Sequence, residues 1–242
     1  MEDLTLLSGR QWIVNQKDSS TLEDCSKVPV IENGLCNRCG SKVECKLPSG
    51  KLYCRACIGL GRANEGDVLV HCQNASQFSK LPNGGMTWNG QLTTLQQKIS
   101  DNLVLNFKQK KSSLVHAVTG AGKTEMLFQL IAECMKNGKR ACIATPRIDV
   151  VNELFPRFEA AFAEIEIGKY HGREYQEPNL DQLTICTTHQ LLKFYEAFDL
   201  LVIDEVDSFP YVGNDQLHFA AKNAVKKDGV RVYLTATPTE DL

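Results

Sequence analysis

The chain has 242 residues, 43% of them hydrophobic, ten cysteines and a formal charge of −2. This is enough apolar material for one large domain, or a large and a small one, each with a core. The start, MEDLTLLSGRQW, has acids where a secretory signal needs positive charge, and no eighteen apolar residues run together, which excludes an export signal and a spanning helix.

In chain order, residues 1–35 are polar and weakly patterned and read as an amino-terminal arm or short strands. Residues 36–62 hold clustered cysteines. Residues 63–87 form a connector, with a strand at DVLVHC (67–72) and then a turn-rich stretch broken by Pro82, Gly84 and Gly85. From 88 to 242 a helical pattern (92–109) is followed by short apolar strands alternating with helices. The strands fall at 113–119, 140–145, 183–188, 199–205 and 230–237. One helix ends on Gly138, and the next carries Pro156, which predicts a kink or a division. Such alternation predicts an α/β fold whose parallel sheet has helices on both faces.

The lack of an export signal places the chain in the cytoplasm, where clustered cysteines read as metal ligands and scattered ones as small hydrophobes rather than disulfides. Cys134, Cys142 and Cys186 lie in apolar segments and belong to the core, whereas Cys25 and Cys72 fit no pattern. Cys36-x-x-Cys39 and Cys54-x-x-Cys57, fourteen residues apart, have the spacing of a four-thiolate zinc site. Two complete pairs leave Cys45 unneeded, and an iron–sulfur cluster is the minor alternative. A metal held by four protein ligands has no open position for water, so this zinc is structural. Arg38, Lys42, Lys46, Lys51, Arg55 and Arg62 against Glu44 give the module a local balance of +5. With Tyr53, these charges suit a nucleic-acid backbone and a stacked base. A folding staple, or a surface for another protein, fits the same residues.

AVTGAGKTE (117–125) follows a strand and opens a helix, as a phosphate loop must. Gly120, Ala121 and Gly122 let backbone amides approach phosphate oxygens, Lys123 reaches the β and γ phosphates of ATP, the Thr124 hydroxyl can ligate Mg2+, and Glu125 opens the helix. LLVIDEVD (200–207) ends an apolar strand in acids: Asp204 to hold Mg2+ and Glu205 to deprotonate the attacking water. Thr235 and Thr237 of LTATPT offer hydroxyls that link Asp207 to the region sensing the γ-phosphate.

These motifs, in this order, resemble the first RecA-like lobe of superfamily 2 helicases and translocases. The resemblance implies that WNGQLTTLQ reads adenine, with Gln96 on the base edge and Trp88 as a stacking group; a solvated helix residue is the alternative for Gln96. It also implies that Thr145, Pro146 and Arg147, and Thr187 and Thr188, contact the phosphates of a single strand, although helix N-capping would use the same residues. His171 and His189 receive no role.

A four-cysteine module ahead of WNGQLTTLQ, AVTGAGKTE, DEVDSFPY and TATPT resembles the ComFA family of late-competence ATPases from Cys36 onward. That resemblance implies an ATP-dependent single-stranded DNA translocase of transforming-DNA uptake, at the inner face of the cytoplasmic membrane, with ComFC and the ComEC channel as partners. It also implies a second RecA-like lobe for which the sequence after TAT has no room, so weak turnover is expected of this stretch alone. The alternatives are a PriA-type replication-restart helicase, whose cysteines follow the phosphate loop, and a DNA-binding assembly protein using ATP as a switch. A small-molecule kinase leaves DEVD and TAT without a purpose.

Overall fold

The computed structural model describes residues 7–22, 25–72, 78–118, 120–172, 177 and 179–237. Its centre is a six-stranded parallel sheet built from β6 (Ser113–His116), β7 (Ala141–Thr145), β8 (Ile167–Tyr170), β9 (Leu183–Thr187), β10 (Phe198–Ile203) and β11 (Val225–Thr235), in the order β6-β11-β10-β7-β9-β8. The inner strands are apolar on both faces because both are covered. Ala141 and Ile143 of β7 join one core cluster, and Cys142 and Ala144 join the other.

The first face is packed by α1 (Thr94–Lys108), α2 (Lys123–Lys136) and α3 (Ile148–Ala161). A capping box starts α1: the Thr93 hydroxyl accepts from the Gln96 amide while the Gln96 side chain accepts from the Thr93 amide. α3 is not divided at Pro156 as expected. The proline forgoes one amide bond, and the buried side of Val151, Leu154, Phe158 and Ala161 holds the helix together across it.

Among the described residues the second face is covered by α4 (Asp215–Ala224), by Leu191 and Leu192 of the Thr188–Lys193 turn, and by the cysteine module. Cys36, Cys39, Cys54, Cys57, Val30, Val43 and Leu69 share one apolar cluster with Cys142, Ala144, Cys186, Leu201 and Ile203 of the sheet. The module is therefore part of the core of the lobe.

Residues read as an arm supply two strands, β1 (Gln11–Asn15) and β2 (Cys25–Pro29), which flank β5 (Asp67–Cys72) in an antiparallel sheet ordered β1-β5-β2. Two short strands, β3 (Ile31–Glu32) and β4 (Leu35–Cys36), lead into the first cysteine knuckle. Cys25 and Cys72, directly opposed across β2 and β5, are joined by a disulfide, which corrects the expectation that no cysteine pairs this way. No helix among the described residues is long and apolar enough to cross a membrane.

Candidate nucleotide and metal sites

Strand β6 delivers the phosphate loop to the start of α2. Gly120 and Gly122 both have positive φ (+81° and +73°), which glycine adopts at no steric cost, and Gly122 is the N-cap of α2. The free amides of the first turn thus face a pocket of about 390 Å3 lined by Gly120, Gly122, Lys123, Thr124, Glu125, Asp204 and Glu205. Ala121 sits on the loop between the two glycines, and its carbonyl accepts from Gln96 Nε2 at 2.8 Å. Thr119 lies outside the described residues.

Across the pocket, β10 ends at Ile203 and presents its acids. Lys123 Nζ stands 3.6 Å from Asp204 Oδ1, with both side chains mostly buried. Burial pushes the Asp204 carboxyl above its usual range, with Lys123 opposing that rise. Glu205 is raised too, first by burial and then by the Asp204 charge. Its backbone is left-handed (φ +55°), and its Oε2 is buried without a hydrogen-bond partner. The left-handed backbone at Glu205 is a sparsely populated conformation, and it sets this carboxylate on the lining of the phosphate-sized pocket.

Asp207 binds the Thr-Ala-Thr segment directly. Thr237 donates to its Oδ2 through the amide at 3.1 Å and the hydroxyl at 2.5 Å. Partial burial lifts the Asp207 carboxyl, but these bonds outweigh it and hold the group below its usual range. Thr235 is buried, its hydroxyl bonds the Thr237 backbone, and it too helps hold the Asp207 carboxyl down.

Other residues sit differently from expectation. Gln96 is neither solvated nor free for a base edge: one end completes the α1 capping box and the other holds the phosphate loop. Trp88 packs edge-to-face on Phe128 at 5.4 Å, at the margin of the core, because the apolar side of α2 is there to receive it. Thr145 and Thr188 are fully buried with unpartnered hydroxyls, so these hydroxyls do not offer the expected phosphate grip, and neither Arg147 nor Thr187 caps its helix with a side chain. Pro146 and Thr187 are buried as well, and exposed Arg147 is paired with Asp149. One contact had no signal in the sequence: Arg157 of α3 reaches over the pocket to Glu125, a pairing that only the packing of α3 beside α2 creates.

In the cysteine module, the Sγ atoms of Cys36, Cys39, Cys54 and Cys57 all lie within 4.8 Å of one another and all four residues are buried. Cys36–Cys57 and Cys39–Cys54 are 3.8 and 3.5 Å apart, against the S···S separation of about 3.8 Å that a tetrahedral Zn–S bond of about 2.3 Å requires. The donor set therefore fits a tetrahedral cation, and Cys45 lies outside it. Arg38 is not the surface charge that its sequence suggested. It is buried, its Nε donates to Cys57 Sγ at 3.2 Å, and its Nη atoms donate to the carbonyls of Cys57, Leu60 and Gly61. That places a cation against the Cys57 sulfur, where it would lighten the excess negative charge of a four-thiolate metal site.

Residues 89–240 match the family model described as type III restriction enzyme, res subunit. The chain is 43% identical to the competence protein ComFA of Streptococcus pneumoniae over 97% of its own length and 54% of that protein, and 42% identical to ComFA of Bacillus subtilis over 86% and 46%. It thus spans about half the length of these curated relatives. The replication restart protein PriA of Bacillus subtilis is 27% identical over 56% of this chain and 18% of that protein. Among solved structures, the SWI2/SNF2 ATPase core of Sulfolobus solfataricus in complex with dsDNA aligns with a TM-score of 0.52 at 19% identity, over 68% of this chain and 35% of that one. A DEAD box protein from Methanococcus jannaschii aligns at 0.50 and 18%, over 60% and 45%. These structures place the fold among RecA-like helicase lobes.

Proposed function

The chain belongs to the family of type III restriction enzyme res subunits and, within it, with the ComFA proteins, and from this premise we propose that it forms part of an ATP-driven motor acting on single-stranded DNA in transformation. The observation that carries the reading is the opposition of Lys123 and Asp204 at 3.6 Å across the phosphate pocket, with the unpartnered Glu205 carboxylate beside them. Lys123 and the first amides of α2 would hold the phosphates of ATP. Thr124 and Asp204 would hold Mg2+, which supplies charge neutralisation on the phosphate oxygens when bound. Glu205 would orient the attacking water and take its proton, and Asp207 with Thr237 would carry the state of the pocket into β11.

Zinc on the four cysteines is the metal that the spacing and the sulfur separations favour. It would act structurally, since all four positions are filled by protein. The family resemblance further suggests a place at the inner face of the cytoplasmic membrane with ComFC and the ComEC channel, and a second RecA-like lobe completing the ATP cleft. A PriA-type helicase is the weaker reading, because the cysteines here precede the phosphate loop. A pure ATP switch is separated from a motor by Glu205→Gln in the full-length protein, which abolishes function in a motor and preserves it in a switch. The direct test is ATP turnover by the full-length protein with single-stranded DNA, duplex DNA and RNA at fixed salt; equal rates with all three, or with none added, would overturn the motor assignment.

A further inference from the structure

β1 is an edge strand. Between its outer side, the turn that closes the cysteine module and the Thr188–Lys193 turn of the lobe lies a groove of about 420 Å3, the size of pockets that accept small organic ligands. Its cations are Arg10, Arg38, Arg62 and Lys193, and no acidic side chain lines it. Arg10 is already engaged, over the rings of Tyr170 and Phe194 and with Asp181, and Arg38 with the module. Arg62 and Lys193 are exposed and have no ion-pair partner among the described residues. Partial burial of the Lys193 ammonium lowers it from its ordinary value, and the charges of Arg10 and Arg38 add to that shift.

The other wall is apolar. Trp12 is half-buried, braced against the side chains of Val70 and the Cys25–Cys72 pair, and Leu60 lies on the module side of the same groove. A large rigid aromatic surface next to unpaired cations suits a ligand that is planar and apolar at one end and anionic at the other, as a nucleotide is. Lys193 ends the turn that begins at Thr188, so the groove is walled by the lobe on one side and by the module on the other.

Resting on the single-stranded DNA reading given above, we infer that this seam is a nucleic-acid subsite in which a base packs on Trp12 and Leu60 while the adjoining phosphates pair with Arg62 and Lys193. It assigns the basic residues of the module unequal roles. Arg38 is committed to the metal site, whereas Arg62 meets the strand in company with a lysine from the lobe, so neither the module nor the lobe forms the subsite alone.

The test uses the 242-residue chain loaded with zinc and a fluorescent oligothymidylate, titrated across a salt series. The double substitution Arg62→Gln, Lys193→Gln is expected to weaken binding about tenfold and to flatten the logarithmic salt dependence by about 1.4, since each phosphate contact on a single strand contributes about 0.7. Both residues are exposed, so the thermal midpoint should not move. In a Trp88→Phe background the remaining tryptophan, Trp12, should be quenched by the oligonucleotide.

If the parent chain binds the oligonucleotide and the double variant binds it equally well with the same salt slope, the groove assignment is overturned and the DNA reading stands. If the parent chain shows no oligonucleotide binding even at low salt, the DNA reading fails first. Quenching of Trp12 by a glutamate-rich peptide, but not by the oligonucleotide, would make the open edge of β1 a protein-docking site and also overturn the assignment.

Discussion

Phe219 of α4 lies directly on Gly40, the residue after the second cysteine ligand: a Cβ placed on Gly40 would come within 2.6 Å of the Phe219 ring. Gln216 of the same helix donates to the Ala56 carbonyl in the second knuckle at 3.1 Å. α4 follows the acidic loop of the nucleotide site in the chain, so one short segment connects the two candidate sites.

Substituting Gly40→Ala should be costly twice over, because φ of +74° disfavours any side chain and the methyl group meets the ring. The left-handed backbone alone costs about 1–2 kcal/mol. Adding Phe219→Ala should recover the steric part and leave the backbone part, which a double-mutant cycle of thermal or urea denaturation would separate. Additive losses would show that ring and glycine do not press on each other.

Removing metal from the module should unsettle the lobe. The four thiols share a core cluster with β7, β9 and β10, so chelation of the zinc-loaded chain should lower the midpoint of the whole chain in one transition. Calorimetry that resolved two transitions, with only the lesser one sensitive to the chelator, would contradict the shared core. Cys54→Ser should reproduce the chelated state.

Glu205→Gln should abolish ATP turnover in the full-length protein while preserving nucleotide binding. It should also stabilise the fold at neutral pH. The folded carboxyl is raised, so its contribution to stability is fully present below the unfolded value of about 4 and is lost as pH rises through the folded value. Glutamine removes that loss. The gain in thermal midpoint should therefore be seen at pH 7 and fade as the pH approaches 4; a gain that persisted in acid would point to packing instead.

His71 predicts a slope on the acid side. Its ring stacks on Tyr195 at 3.8 Å between centroids, and burial pushes its value down to about 4. A lowered folded value means stability that is present above about 6.5 and is lost as pH falls toward 4, on the order of 3 kcal/mol if the shift is fully expressed. His71→Phe should flatten denaturation midpoints across that window. An unchanged slope would assign the acid sensitivity to other groups.

The parallel sheet was legible because each inner strand is a short apolar run flanked by turn residues, and the phosphate loop and acidic strand end were legible because their spacing is fixed by chemistry. β8 was missed: IGKY is only four residues long and has a lysine inside it. β1 and β2 could not be told from an arm because what makes them strands is β5, tens of residues away, and not their own pattern. Arg38 read as a surface charge and Gln96 as a base-edge contact because nothing local announces a fan of carbonyls or a neighbouring loop. Both are satisfied by partners that exist only after folding.

The earliest residues of the chain depend on some of the later ones. The Ser8 carbonyl accepts from the buried Arg140 guanidinium at 2.9 Å, the Gly9 carbonyl from the Tyr195 amide at 3.0 Å, and Arg10 donates to the Asn179 carbonyl at 3.2 Å. During synthesis from the amino terminus none of these partners yet exists when residues 8–10 leave the ribosome. That segment must wait for its partners until most of the parallel sheet is made, although β1 beyond it can pair with β5 much earlier.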